Sequence, residues 1–166
     1  MINNDVLRRV RYALNLNDAA MMDIFALSNY EITREDLLKL LKKDNEDDFV
    51  ALNNKKLALF LDGLITYRRG KKEESVTPVA KKKESELDNN GILKKLRIAF
   101  EFKEEDMLHT LKLADFELSK PELSAFFRHE AHKHHRKCGD QVLRNFLQGL
   151  IVRFRQLDEN GVVGSD

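Results

Sequence analysis

Four histidines and the single cysteine fall within ten residues: His129, His132, His134, His135 and Cys138. Imidazole nitrogens and a thiolate are ligands that zinc and nickel accept, so the cluster is the first place to look for chemistry. Its spacing argues against a built metal site. His129-Glu130-Ala131-His132 sets its histidines three apart, whereas the zinc-protease helix needs them four apart. No second ligand cluster stands elsewhere in the chain to close a site. Cys138 as a nucleophile would have His134 four residues earlier, but no third group to orient the base and no oxyanion-type loop. The chain also lacks a P-loop, a dinucleotide fingerprint and a paired-carboxylate motif. The expectation is a protein that is not an enzyme, with no catalytic residue, no cofactor and no resident metal. Metal binding through the His-rich loop is the lesser alternative.

Charge offers a second kind of chemistry, recognition. Lys133, His134, His135, Arg136 and Lys137 form a basic run, and a shift of 86 residues places the acidic run Asp44, Glu46, Asp47 and Asp48 opposite it. These are the candidate basic and acidic partner surfaces. Residues 1–69 are neutral overall, while residues 89–156 carry thirteen basic and nine acidic side chains, a net +4. Nucleic-acid binding would therefore fall to the second half. A short turn between helices there, with Lys120 and Arg128 (Arg34, Lys39, Lys42 and Lys43 in the first half), has the outline of a helix-turn-helix. A sequence pI near 7.8 is well below the usual basic footprint of such proteins. Two further pairs, Arg11 with Glu31 and Arg97 with Glu117, keep their residue types at matched positions and are expected to form partly buried structural ion pairs.

The elements that position these groups are written twice. Aligning residues 3–69 with 89–155 without a gap leaves 16 identities in 67 positions, among them Asn3, Asn4, Arg11, Met21, Glu31, Phe60, Gly63 and Arg69. Each copy reads as four amphipathic helices, from apolar residues three and four apart. The first begins at Asn3-Asn4, a plausible cap, and carries Val6, Leu7, Val10 and Ala13, echoed by Ile92, Leu93, Leu96 and Ala99. The second starts near Asn17. The third opens with Thr33 or with Ser119-Lys120-Pro121-Glu122, a capping box with proline in the first turn. A polar loop over residues 43–52 and 129–138 precedes the fourth, which carries Leu57, Phe60, Leu61 and Leu64 and their counterparts. Gly63 and Gly149 interrupt it at the same place. A mid-helix glycine costs about 1 kcal/mol against alanine, so its recurrence predicts close approach by another backbone. Cys138 aligns with Leu52, which gives it an apolar, buried role.

No segment alternates like a strand. The fold class is all-α: two tandem homologous four-helix units at 1–69 and 89–156, a charged linker at 70–88 and a flexible tail at 157–166. One unit of this size is near the lower limit for independent stability, so the copies should pack on each other or on a second chain. No apolar run reaches membrane length, and Met1-Ile2-Asn3-Asn4-Asp5 lacks the start of a signal peptide. One cysteine cannot make an intrachain disulfide, which fits a cytoplasmic setting.

Three stretches also carry a resemblance: residues 4–11, residues 92–100, and Cys138-Gly139-Asp140-Gln141 with the helix that follows it. In these the chain resembles the YehS-like bacterial family, which is built from a duplicated helical domain of unknown function. The resemblance covers both repeats and implies a small, soluble bacterial protein with two helical units; it implies no catalytic residue. The functional expectation is a non-catalytic helical interaction or adaptor protein that meets a protein partner or a second copy of itself, with nucleic-acid binding by the second repeat as the alternative.

Overall fold

The computed structural model describes residues 1–70 and 87–159, with the side chains of 156–159 excepted. Eight helices and no strand occur among them: α1 (Asn3–Leu14), α2 (Asp18–Ala26), α3 (Arg34–Leu40), α4 (Asn54–Arg69), α5 (Asn89–Phe100), α6 (Glu104–Leu113), α7 (Lys120–Phe126) and α8 (Asp140–Glu159). The fold is all-α and duplicated, α1–α4 repeating as α5–α8. The linker expected at 70–88 falls mostly outside the described residues, as does the tail from residue 160; α8 runs on through residues 157–159, where that tail was expected to begin.

Local chemistry sets most helix starts. The side chains of Asn17, Thr33 and Asn53 accept the amides of Ala20, Asp36 and Lys56, and Asp88 and Ser119 do the same for Gly91 and Glu122. Each satisfies an amide that the helix itself leaves unpaired. The first helix of each repeat departs from the expected start. Asn3 and Asn4 lie inside α1, and their equivalents Asn89 and Asn90 lie inside α5, because the side chains are engaged elsewhere.

The helices are assembled by exchange between repeats. The most extensive contacts pair α1 with α8 and α4 with α5, so the first helix of each copy packs on the last helix of the other. The pattern has the symmetry of a twofold axis relating the copies. It follows from the breadth of the apolar arc on α4: Leu57, Ala58, Phe60, Leu61, Gly63 and Leu64 are all buried, too many for one neighbour to cover. Helix α2 covers one side and α5 the other. The outcome is one continuous core with Leu7, Phe25, Phe60, Leu93, Leu96 and Phe146 fully enclosed. Each such side chain contributes about 1.5–3 kcal/mol of burial.

The recurrent glycines sit where α2 crosses α4 and α6 crosses α8. A Cβ on Gly63 would lie 2.0 Å from the Ile24 carbonyl oxygen, and one on Gly149 would lie 1.9 Å from that of Thr110. The close approach predicted from the repeat is present twice. Polar contacts join the copies at the rim: Lys95 to Asp62 at 2.6 Å, Arg69 to Glu101 at 3.5 Å, and the Arg155 guanidinium 4.3 Å over the Tyr12 ring. Among the described residues no helix is long and apolar enough to cross a membrane.

Candidate functional site

The two charged loops hang on the same internal frame. Asn4 is 1% exposed. Its Nδ2 donates to the carbonyls of Leu40 and Val50, both at 2.9 Å, and its Oδ1 accepts the Leu52 amide at 2.9 Å. Asn90 does the same with Phe126, Arg136 and Cys138 at 3.0, 2.9 and 2.8 Å. One step back, Asn3 donates to the Leu52 carbonyl and to Asn54, and Asn89 to the Cys138 carbonyl and to Asp140. A primary amide has both donors and acceptors, so a single side chain can latch both strands of a returning loop. The Val50 amide reaches the Lys39 carbonyl as the Arg136 amide reaches that of Ala125, so the loops are anchored alike; they differ at Asp48, which takes φ 67° where His134 does not take positive φ.

On that common frame the charges are opposed. Asp44, Glu46, Asp47 and Asp48 are exposed, as are Lys133, His134, Arg136 and Lys137; His135 is half-buried, its ring Nδ1 3.0 Å from the Arg128 carbonyl oxygen. No hydrogen bond or ion pair joins the two loops among the described residues; they present two separate surfaces.

The histidines are occupied locally. His129 Nδ1 accepts the Ala131 amide and His132 Nδ1 accepts the His134 amide. Among the described residues no three His, Cys, Asp or Glu side chains converge on a metal position. Cys138 is buried in the core, as its alignment with Leu52 implied, and does not join them. Burial pushes its thiol up to about 12, with the charges of Asp88 and Asp140 adding to the shift. A thiol so protonated is a poor nucleophile and a poor ligand.

The expected Arg11–Glu31 and Arg97–Glu117 pairs do not form. Glu31 and Glu117 are exposed beyond the ends of α2 and α6 and make no ion pair among the described residues. The arginines instead close the turns at the ends of α1 and α5. Arg11 Nε donates to the Leu16 carbonyl at 3.1 Å while the Leu16 amide returns to the Arg11 carbonyl at 3.0 Å; Arg97 and Phe102 repeat this at 3.1 and 3.1 Å. Asn15 and Glu101 between them take the left-handed conformation, at φ 55° and 56°, that such a helix end requires. Residue type recurs at 11 and 97 because the side chain serves the backbone five residues on.

Beside each of these turns lies a groove. In the first repeat it encloses about 410 Å³, lined by Arg8, Arg11, Tyr12, Asn15, Leu16 and Leu41. In the second it encloses about 400 Å³, lined by Arg69, Lys94, Arg97, Ile98, Glu101, Phe102 and Phe127. All but Arg69 are the 86-residue counterparts of the first set. The helix-turn-helix outline loses a cation in the first repeat, where Arg34 is bound to Asp18 at 3.0 Å. Sequence reasoning did not locate the grooves or the asparagine latch. The only available signal was polar identity, Asn3, Asn4 and Arg11, inside otherwise amphipathic helices.

Similarity to known proteins follows the duplication. The family described as "Protein of unknown function (DUF1456)" matches twice, over residues 3–70 and 89–156. The chain is 44% identical over 153 residues to the uncharacterized protein YehS of Escherichia coli strain K12, covering 92% of this chain and 96% of that protein. No solved structure matches. With each repeat matched once and a relative of that identity spanning nearly the whole length, the chain belongs to the DUF1456 family of proteins of unknown function.

Proposed function

We propose that the protein is a non-catalytic helical interaction module acting in the cytoplasm, in which each repeat offers a different partner surface from the same structural position. The observation that carries this reading is the pair of loops: one asparagine-latched frame, exposed in both copies, acidic at residues 44–48 and basic at residues 133–137. A rigid scaffold with variable exposed loops suits selective binding, because charge on a fixed loop steers partners of opposite sign. The partner is another protein or a second copy of the chain, whose acidic loop complements the basic one.

The test is co-purification from native cells with two loop variants. One replaces Asp44, Glu46, Asp47 and Asp48 by their amides; the other replaces Lys133, Arg136 and Lys137 by glutamine. Each should lose a different set of partners while melting like the parent. Identical partner sets for parent and both variants would refute the reading. A second reading, nucleic-acid binding by the second repeat, is favoured by its net charge of +4 against a neutral first repeat.

A further inference from the structure

The two grooves match in size and in the positions that line them and differ in electrostatics. In the first, every cation is already satisfied. Arg8 is paired with Asp5 one turn back and donates to the Lys42 carbonyl; Arg11 holds Asp18 at 2.9 Å. In the second, the carboxylate partners are gone or disengaged. Gly91 stands where Asp5 stood, so Lys94 has no acid one turn back. Glu104 replaces Asp18 and makes no ion pair with Arg97. The Arg97 guanidinium lies 4.8 Å over the Phe127 ring, where the first repeat has Leu41, and among the described residues only its Nε is hydrogen-bonded, to the Phe102 carbonyl. An arginine held over an aromatic ring keeps its remaining donors for a ligand.

A further space of about 350 Å³ lies beside the second groove, sharing Arg97 and Phe127 and adding Glu104, Ser124 and Arg128. Cations line both spaces: Arg69 (paired at 3.5 Å with exposed Glu101), Lys94, Arg97 and Arg128. Two carboxylates, Glu101 and Glu104, line them as well, leaving an excess of two positive charges. A ligand with negative charge at one end would use part of this set; one with charge repeated along its length would use all of it.

We propose that the groove of the second repeat binds single-stranded nucleic acid through its phosphates, with Lys94, Arg97 and Arg128 as the contacting cations, and that the groove of the first repeat does not. This deepens the second functional reading and rests on it. Recognition is sequence-tolerant, since the cations track the backbone; the Phe102 ring is already stacked on Phe100 with Arg153 over it, and Arg97 lies over Phe127.

The test uses the full chain and a fluorescein-labelled oligothymidylate of about twelve nucleotides, titrated by fluorescence anisotropy between 50 and 300 mM salt. Three phosphate contacts at about 0.7 each predict a log–log salt slope near −2 for the parent. The Lys94→Glu/Arg128→Glu variant, changed at two exposed side chains, should bind at least tenfold more weakly with a shallower slope of about −0.7. Gly91→Asp, which restores the acid of the first repeat beside Lys94, should weaken binding severalfold. Lys42→Glu, the first-repeat homologue of the Arg128 change, should leave affinity within twofold. Thermal melts of each variant check that the fold is retained. A strand that binds the parent and the Lys94→Glu/Arg128→Glu variant equally overturns the groove assignment while leaving nucleic-acid binding by the second repeat standing. Absence of strand binding at 50 mM salt overturns the proposal, and the broader reading with it if a duplex of the same length also fails to bind. Displacement of the strand by adenosine triphosphate at equal phosphate concentration also overturns the proposal, because one nucleotide would then suffice.

Discussion

Replacing Gly63 with alanine sets two effects against each other. Helix propensity favours the change by about 1 kcal/mol. Packing opposes it: the new Cβ would meet the Ile24 carbonyl oxygen at 2.0 Å, and ordinary contact begins at 3.4 Å, so α2 and α4 must part by about 1.4 Å in that direction. The obstacle is backbone and cannot rotate away. Parting the helices loosens Met21, Ile24, Phe25, Phe60 and Leu64, all fully buried at this crossing. Overpacking of this kind costs about 1–3 kcal/mol, occasionally more, and a radial gap of 0.5–1 Å forfeits about a quarter to a half of each dispersion contact. The upper end of that range applies here, which leaves a net loss of about 2 kcal/mol after the propensity gain. With a urea m-value of about 2 kcal/mol/M, the unfolding midpoint should fall by roughly 1 M, read by circular dichroism at 222 nm. Gly149→Ala should behave alike, since its Cβ would meet the Thr110 carbonyl oxygen at 1.9 Å. An unchanged or raised midpoint in either variant would show that the helices are not in backbone contact.

Asn4→Ala should cost about 2–4 kcal/mol, because it strips three hydrogen bonds, two of them buried, and leaves two carbonyls and an amide unpaired; faster hydrogen exchange at Leu52 with protected core amides in α4 would locate the damage in the loop. Native Cys138 should resist iodoacetamide at pH 8 and react quickly once unfolded, since burial holds the thiol at about 12. The sign of its linkage follows: a folded-state value raised above the usual 9 leaves stability intact below pH 9 and removes it progressively as pH rises toward 12, measurable in alkaline urea titrations. Glu122 is held below the usual carboxylate range by the Ser119 backbone and hydroxyl, so its contribution is present above the unfolded value and lost as pH falls through the folded one; amide exchange in α7 should accelerate under acid. Ser119→Ala should weaken the same helix by about 1 kcal/mol in a urea titration at pH 7.

What the sequence disclosed and what it hid divide along a physical line. The glycines at 63 and 149, the caps at Thr33 and Ser119 and the apolar stripes were readable because each leaves its mark within one or two turns of its own helix. The asparagine latch was not, since a polar pair at a helix start looks like a cap and its acceptors lie 36 and 46 residues away. Arg11 differs from expectation for a similar reason: the Leu16 carbonyl it serves has no side-chain signature, and of the visible carboxylates it holds Asp18, seven residues on, rather than Glu31. The exchange of helices between repeats was equally hidden, because one apolar stripe on α4 serves an own-repeat neighbour and a cross-repeat neighbour alike. Of the candidate surfaces, the loop charges were legible at once; the grooves needed the left-handed turns that end α1 and α5 to come into view.

The most direct measurement separates the halves. Residues 1–70 and 87–166, produced as two chains, expose the faces of α1 and α4, and of α5 and α8, that each covers in the other. The account predicts that each alone is weakly helical and melts without a cooperative transition, and that mixing them yields a one-to-one complex with the ellipticity of the intact chain. Either half folding alone to a cooperative, stable monomer would contradict it.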